Sequence, residues 1–216
     1  MDKAFAIFDM DGTLVDSMRF WKVLGEEYLK SRGVGQIPGN LSERIKAMTM
    51  TESAALFVKE FALTGTPEEA AAQMNAMMER HYREDIPEKA GTREYLEMLK
   101  SRGVRMCVAS STAGELQEAC LKRVGLYGYF DFLISCEEVG TGKDRPDVYL
   151  AAARRLGAAP ADTAVYEDAF YALQTAKAAG FYAVGVYDES AGKYWESIKE
   201  TADEALMDWV PVKIKI

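Results

Sequence analysis

Apolar and polar positions follow two different patterns along this chain. Ala4-Phe5-Ala6-Ile7-Phe8 is an unbroken apolar run that stops at Asp9, which predicts a short buried strand. Over residues 16–85 the spacing is helical. Trp21, Leu24, Tyr28 and Leu29 recur on one face, and Ala54, Leu56, Phe57, Val58 and Phe61 do so less strictly. Thr66 ahead of Pro67-Glu68-Glu69 predicts an N-cap and first turn, with the helix running to about Tyr82. From Gly91 onward strands and helices alternate. Helices are predicted over 92–102, 114–124, 146–156 and 169–179, each followed by a glycine, and strands over 104–109, 130–134, 163–166 and 182–186. Repeated strand–helix units imply right-handed crossovers and a parallel sheet. The expected fold class is therefore α/β, a Rossmann-like parallel sheet interrupted after its first strand by an all-helical insert. The core is expected over 1–15 and 89–216 and the insert over 16–88, with hinges near 14–17 and 86–89. Residues 212–216 alternate like an edge strand.

Composition narrows the function classes. Apolar residues make up 49% of the 216, enough for a sizeable core. The net charge of −8 disfavours nucleic-acid and anionic-membrane partners, although a metal can reverse the potential locally. Cys107, Cys120 and Cys136 form no CxxC pair and read as reduced thiols. His81 is the single histidine, which excludes mechanisms that need several imidazoles. Charges and a strand begin by residue 3 and no apolar run reaches membrane-span length, so a soluble cytoplasmic protein is expected, as a monomer or weak homodimer.

In open α/β sheets the site lies at the carboxyl ends of the strands. The first strand is followed by Asp9-Met10-Asp11-Gly12-Thr13 and the second by Ser110-Ser111-Thr112. Gly142-Lys143-Asp144 comes one loop after the third, and Glu167-Asp168 follows the fourth. Four carboxylates on one sheet edge repel one another unless a cation joins them. Magnesium suits such oxygen ligands and keeps several waters. Asp9 and Asp168 are the expected side-chain ligands, the main-chain carbonyl of Asp11 a third, and Glu167 a ligand acting through water. Asp9, beside that metal and Lys143, is expected to be the nucleophile. Asp11 is expected to move protons, a contribution of ~10²–10⁴-fold. Ser110 and the Ser111 amide offer donors to a phosphoryl oxygen, and Lys143 a point charge. Taken singly, Ser110 also fits a helix N-cap and Lys143 a solvated loop residue. Gly12 permits the turn where a side chain would obstruct it, and Gly12 and Thr13 are expected substrate-binding residues.

Asp9-Met10-Asp11-Gly12-Thr13-Leu14-Val15-Asp16-Ser17 resembles the signature of the haloacid dehalogenase superfamily. Val108-Ala109-Ser110-Ser111, Lys143-Asp144-Arg145-Pro146-Asp147-Val148-Tyr149 and Val165-Tyr166-Glu167-Asp168 resemble its remaining motifs, in order. The insert is similar to the cap of the subgroup containing phosphoglycolate phosphatase and β-phosphoglucomutase. This resemblance implies a Rossmann-like core with a mobile cap, Mg²⁺, and an aspartyl-phosphate on Asp9. It implies acid–base work by Asp11, phosphate contacts from Ser110 and Lys143, and metal ligation by Asp168 with Glu167. The chain departs from the family pattern at Asp144, Ala169 and Ala172, where Pro, Ser and Gly are usual.

The expected activity is hydrolysis of a small phosphomonoester; sugar phosphates, phosphoglycolate-like acids and nucleotides all stay open. The alternative is a sugar-phosphate mutase. The positions matching the mutase's cap His and substrate-loop Arg are Trp21 and Met50, which favours hydrolysis. Asp11 and the acidic pair speak against a metal-free dehalogenase, and Asp11 against a phosphonatase. An idle binding module would have lost one of the key carboxylates. In the cap, Met50 and Thr51 are substrate-binding candidates by position, with Arg19, Phe20, Trp21, Arg44, Lys46 and Thr49. Phe20 and Trp21 equally fit cap core, and His81 a packing or surface role.

Overall fold

The computed structural model describes residues 2–45 and 48–209. They divide into two compact units: the chain up to Asp16 together with the chain from Pro87 onward, and Ser17–Ile86. Lys46 and the stretch 212–216, named above as a cap candidate and an edge strand, lie outside the described residues.

In the first unit β1 (Phe5–Phe8), β2 (Arg105–Ser110), β3 (Leu133–Ser135), β4 (Thr163–Glu167), β5 (Tyr182–Val186) and β6 (Glu204–Leu206) form one sheet. Its order is β3-β2-β1-β4-β5-β6, and every neighbouring pair is parallel. The central strands are nearly continuous apolar runs because helices cover both faces of a parallel sheet. On one face Ile7, Cys107, Ala109 and Val165 pack with Val148, Tyr149 and Ala152. Elsewhere in the core Phe8 stacks on Tyr166 at 4.3 Å between centroids, and Trp209 packs against Tyr95 at 4.8 Å. Gly91 sits at φ +83, and a Cβ there would meet Trp209 at 3.2 Å, so both conformation and close approach require glycine.

The second unit holds α1 (Met18–Ser31), α2 (Leu41–Ile45), α3 (Met50–Glu60) and α4 (Pro67–Glu84). The expected Thr66 cap is a full capping box: its hydroxyl accepts from the Glu69 N–H, and Glu69 accepts from the Thr66 N–H. Thr49 and Glu52 repeat the device on α3. Leu24, Tyr28, Phe57, Met74, Met78 and Tyr82 are buried here. Trp21 is partly exposed and donates its indole N–H to the Tyr82 hydroxyl at 3.1 Å. His81 is buried, with Phe20 at 4.8 Å and carboxylates of Asp85 and Glu27 at 2.6 and 2.8 Å from its two nitrogens; it packs within this unit.

Between and after the strands run α5 (Thr92–Ser101), α6 (Gly114–Arg123), α7 (Cys136–Val139), α8 (Asp147–Leu156), α9 (Phe170–Ala178) and α10 (Trp195–Thr201). The third strand starts later than the expected 130–134, at Leu133. Ser110 and Glu167 are the last residues of β2 and β4 rather than the first residues after them. β6 and α10 have no counterpart among the expected elements. Among the described residues no helix is long and apolar enough to cross a membrane.

Candidate active site

The strand order reverses direction around β1, so β1 and β4 are neighbours whose connections diverge, leaving a crevice at their carboxyl ends. Asp9 follows β1, and its N–H extends the ladder one residue by donating to Tyr166 O at 2.9 Å. Glu167 closes β4 and Asp168 follows it. Pairing of these strands thus brings residues far apart in sequence into one buried group. Asp9, Glu167 and Asp168 each offer a carboxylate oxygen within 4.8 Å of the other two.

Lys143 enters this group from the loop after α7 and is itself buried. Its ammonium donates to Asp9 Oδ1, and to Glu167 Oε1 at 2.7 Å. The Tyr149 hydroxyl, on α8, donates to the same Glu167 oxygen at 2.6 Å. Thr13 donates to Asp168 Oδ1 at 3.2 Å. Lys143 is therefore not the solvated loop lysine that its position alone allows.

Asp11 lies beside the group with different partners. Its carboxylate accepts from the Ser110 hydroxyl at 3.3 Å and from the Thr112 hydroxyl at 2.7 Å. Ser110 in turn accepts from the Thr112 N–H at 3.0 Å. Ser110 does not cap a helix; the N-cap of α6 is Ala113. After Asp11 the chain turns, with Gly12 at φ +78 and the Leu14 and Val15 amides both donating to Met10 O. Ser111 stands apart and exposed, its hydroxyl 3.7 Å from the Cys136 sulfur. Met50 and Thr51 are the first two residues of α3 in the other unit, half-buried and exposed.

The electrostatics follow from burial. Desolvation pushes the Asp9 carboxyl well above the usual carboxylate range; Lys143 opposes this, while Glu167, Asp168 and Asp11 add to it. Burial first, then the charges of Glu167 and Asp188, push Asp168 up to about 7 against Lys143 and Lys89. Burial alone would lower Lys143, but Asp9 and Glu167 outweigh it and hold the ammonium charged. Lys143 thus contacts two of the three buried carboxylates, Asp9 and Glu167. A hard divalent cation fits this donor set, since the ligand atoms are all carboxylate oxygens and the negative charge exceeds the resident positive charge.

Thr112, Tyr149 and Lys89 have partners here that the sequence reading did not assign. Thr112 and Tyr149 lie inside motifs already singled out, two residues from Ser110 and six from Lys143. Lys89 was visible only as a hinge position.

The family model for haloacid dehalogenase-like hydrolases matches residues 5–180. The chain is 31% identical over 199 residues to the fructose-1-phosphate phosphatase YqaB of Escherichia coli, covering 83% of this chain and 94% of that one. It is 29% identical over 174 residues to a phosphorylated carbohydrates phosphatase of Thermotoga maritima, covering 81% and 80%. A solved structure from Thermotoga maritima, described as a candidate β-phosphoglucomutase, superposes with a TM-score of 0.81 at 26% identity over 94% and 93% of the two chains. With the family model covering most of the chain and the sheet carrying the acidic group at its switch point, this protein belongs to the haloacid dehalogenase-like hydrolases, an enzyme family.

Proposed function

We propose that the protein is a Mg²⁺-dependent phosphomonoester hydrolase that acts on a small phosphorylated metabolite through an aspartyl-phosphate on Asp9. The observation that carries this reading is the meeting of Asp9, Lys143, Glu167 and Asp168 at the ends of β1 and β4, with Asp11 held separately by two hydroxyls. Phosphatase relatives that act on phosphorylated sugars support the substrate class.

Asp9, Asp168 and Glu167 would hold the cation, with the Asp11 carbonyl as a further ligand. When bound, Mg²⁺ supplies charge neutralisation for the phosphoryl oxygens and the carboxylates. The Asp9 carboxylate attacks phosphorus; the new O–P bond forms as the bond to the leaving oxygen breaks. Asp11 gives that oxygen a proton and the alcohol departs. Water then attacks phosphorus and passes its proton to Asp11, the Asp9–phosphorus bond breaks, and inorganic phosphate leaves with Asp9 restored. Lys143 stays charged throughout and faces the negative charge that builds on the phosphoryl group. Ser110 and Thr112 keep Asp11 in one orientation for both proton transfers.

The test is phosphate release from a panel of sugar phosphates, phosphoglycolate and nucleotides, with Mg²⁺ or with EDTA. Mg²⁺-dependent release that Asp9→Asn and Asp11→Asn each abolish is the expected result. Isomerisation of β-glucose 1-phosphate without phosphate release would replace this reading with that of a mutase.

A further inference from the structure

We propose that Lys89 is a positioning residue for the catalytic turn, its ammonium fixing the Gly12 carbonyl against the loop after β5. The inference rests on the hydrolase reading above. Lys89 lies outside the Lys143 group, on the segment where the chain returns from the helical insert. The backbone of that segment pairs with the outgoing one: Asp16 N–H donates to Pro87 O, and Lys89 N–H to Leu14 O, both at 2.9 Å. From this anchored position Nζ reaches Gly12 O at 2.7 Å, Tyr187 O at 2.7 Å and Asp188 Oδ2 at 3.0 Å.

An ammonium has three donors and no acceptor, so these contacts use its full capacity. The side chains of Lys89 and Asp188 are 18% and 8% exposed, which shields the pair from salt. Asp188 is also tied down at its other oxygen, accepting from the Ser190 N–H at 2.9 Å and hydroxyl at 2.6 Å. The cation is thus anchored on one side and grips the turn on the other.

The grip falls at a sensitive place. Gly12 holds the left-handed conformation of the turn, and its carbonyl sets the plane of the Gly12–Thr13 peptide. On one side of Gly12 is Asp11, the proton carrier; on the other is Thr13, whose hydroxyl donates to Asp168. Rotation of that peptide displaces both. A tether at this carbonyl stabilises the turn and, by setting Asp11, also acts on the step at which protons move.

Wild type, Lys89→Met, Lys89→Ala and Lys89→Arg are assayed with p-nitrophenyl phosphate and Mg²⁺, alongside thermal melts. Lys89→Met should lose on the order of 10- to 100-fold in kcat. KM should hold, as expected when an interaction is made in the transition state alone. Ethylammonium should restore part of the lost kcat in Lys89→Ala and leave wild type unchanged. Arg keeps the charge, but its planar fork cannot meet three converging oxygens, so Lys89→Arg should be intermediate. Wild-type kcat in Lys89→Met, or a loss that ethylammonium does not relieve, overturns the proposal. Should the neutral variants fail to fold, Lys89→Arg decides: reduced kcat at an unchanged melting temperature supports the role, and wild-type kcat overturns it. An active wild type with indifferent variants removes Lys89 alone; an inactive wild type removes the hydrolase reading and this role with it.

Discussion

Replacing Lys143 with methionine keeps the buried volume but removes the single ammonium that Asp9 and Glu167 share. Across the 2.7 Å contact to Glu167, the attraction at an effective dielectric of 20 is roughly 6 kcal/mol. Desolvation of the partners offsets much of it, and removing one member of a buried pair typically costs about 3–5 kcal/mol. In a chain of this length that is roughly 6–20 °C in melting temperature. The measurement is a thermal melt of Lys143→Met and wild type in EDTA at about pH 8. Mg²⁺ should then stabilise the variant more than wild type, because the cation restores charge balance at the same oxygens. In the Mg²⁺ assay the variant should lose about 10²–10³-fold in kcat, the usual cost of deleting a fixed electrostatic donor. Equal melting temperatures in EDTA would refute the reasoning, since the buried carboxylates could then do without the lysine.

Three further outcomes are expected. In EDTA the protein should become less stable as pH rises from about 4 to about 7: folded Asp168 keeps its proton up to about 7, the unfolded chain releases it near 3.8, and up to roughly 4 kcal/mol is lost between them. A flat melting temperature over that range would contradict the burial argument. Tyr149→Phe removes the 2.6 Å bond to Glu167 and should cost about 1.5–3 kcal/mol in urea unfolding; an unchanged midpoint and slope would show that the bond carries no net stability. Gly185→Ala should destabilise by about 1–3 kcal/mol, because the new Cβ would lie 2.3 Å from Cγ2 of Ile198, a β-branched side chain that cannot swing aside; thermal melts of the double-mutant cycle with Ile198→Ala, in which Gly185→Ala should cost less in the Ile198→Ala background than in wild type, check this.

Much of this architecture is written in local pattern. The apolar runs of β1, β2, β4 and β5 end where chemistry begins, so Asp9, Ser110 and Glu167-Asp168 could be placed on one sheet edge from order alone. Thr66 and Glu69 announce α4 because a capping box is a local bond pair. β6 was illegible because Glu204-Ala205-Leu206 is too short for alternation to register, and its place depends on pairing with β5. α7 spans one turn, although Ser135 and Glu138 carry the same capping signature as Thr66 and Glu69. Lys89 could not be assigned because its partners Gly12, Tyr187 and Asp188 come from loops that only the folded sheet brings together. The different partners of Asp9 and Asp11 are likewise set by tertiary placement, Lys143 reaching Asp9 from one loop and Ser110 and Thr112 reaching Asp11 from the end of β2.

Both proposed bond-forming steps at phosphorus involve the carboxylate of Asp9. The direct measurement is ¹⁹F NMR of the purified protein with Mg²⁺ and beryllofluoride, a mimic of the phosphoryl group. An aspartyl-phosphate on Asp9 predicts protein-bound fluorine resonances that require Mg²⁺ and vanish in Asp9→Asn. Absence of those resonances in wild type, or their persistence in Asp9→Asn, would contradict it.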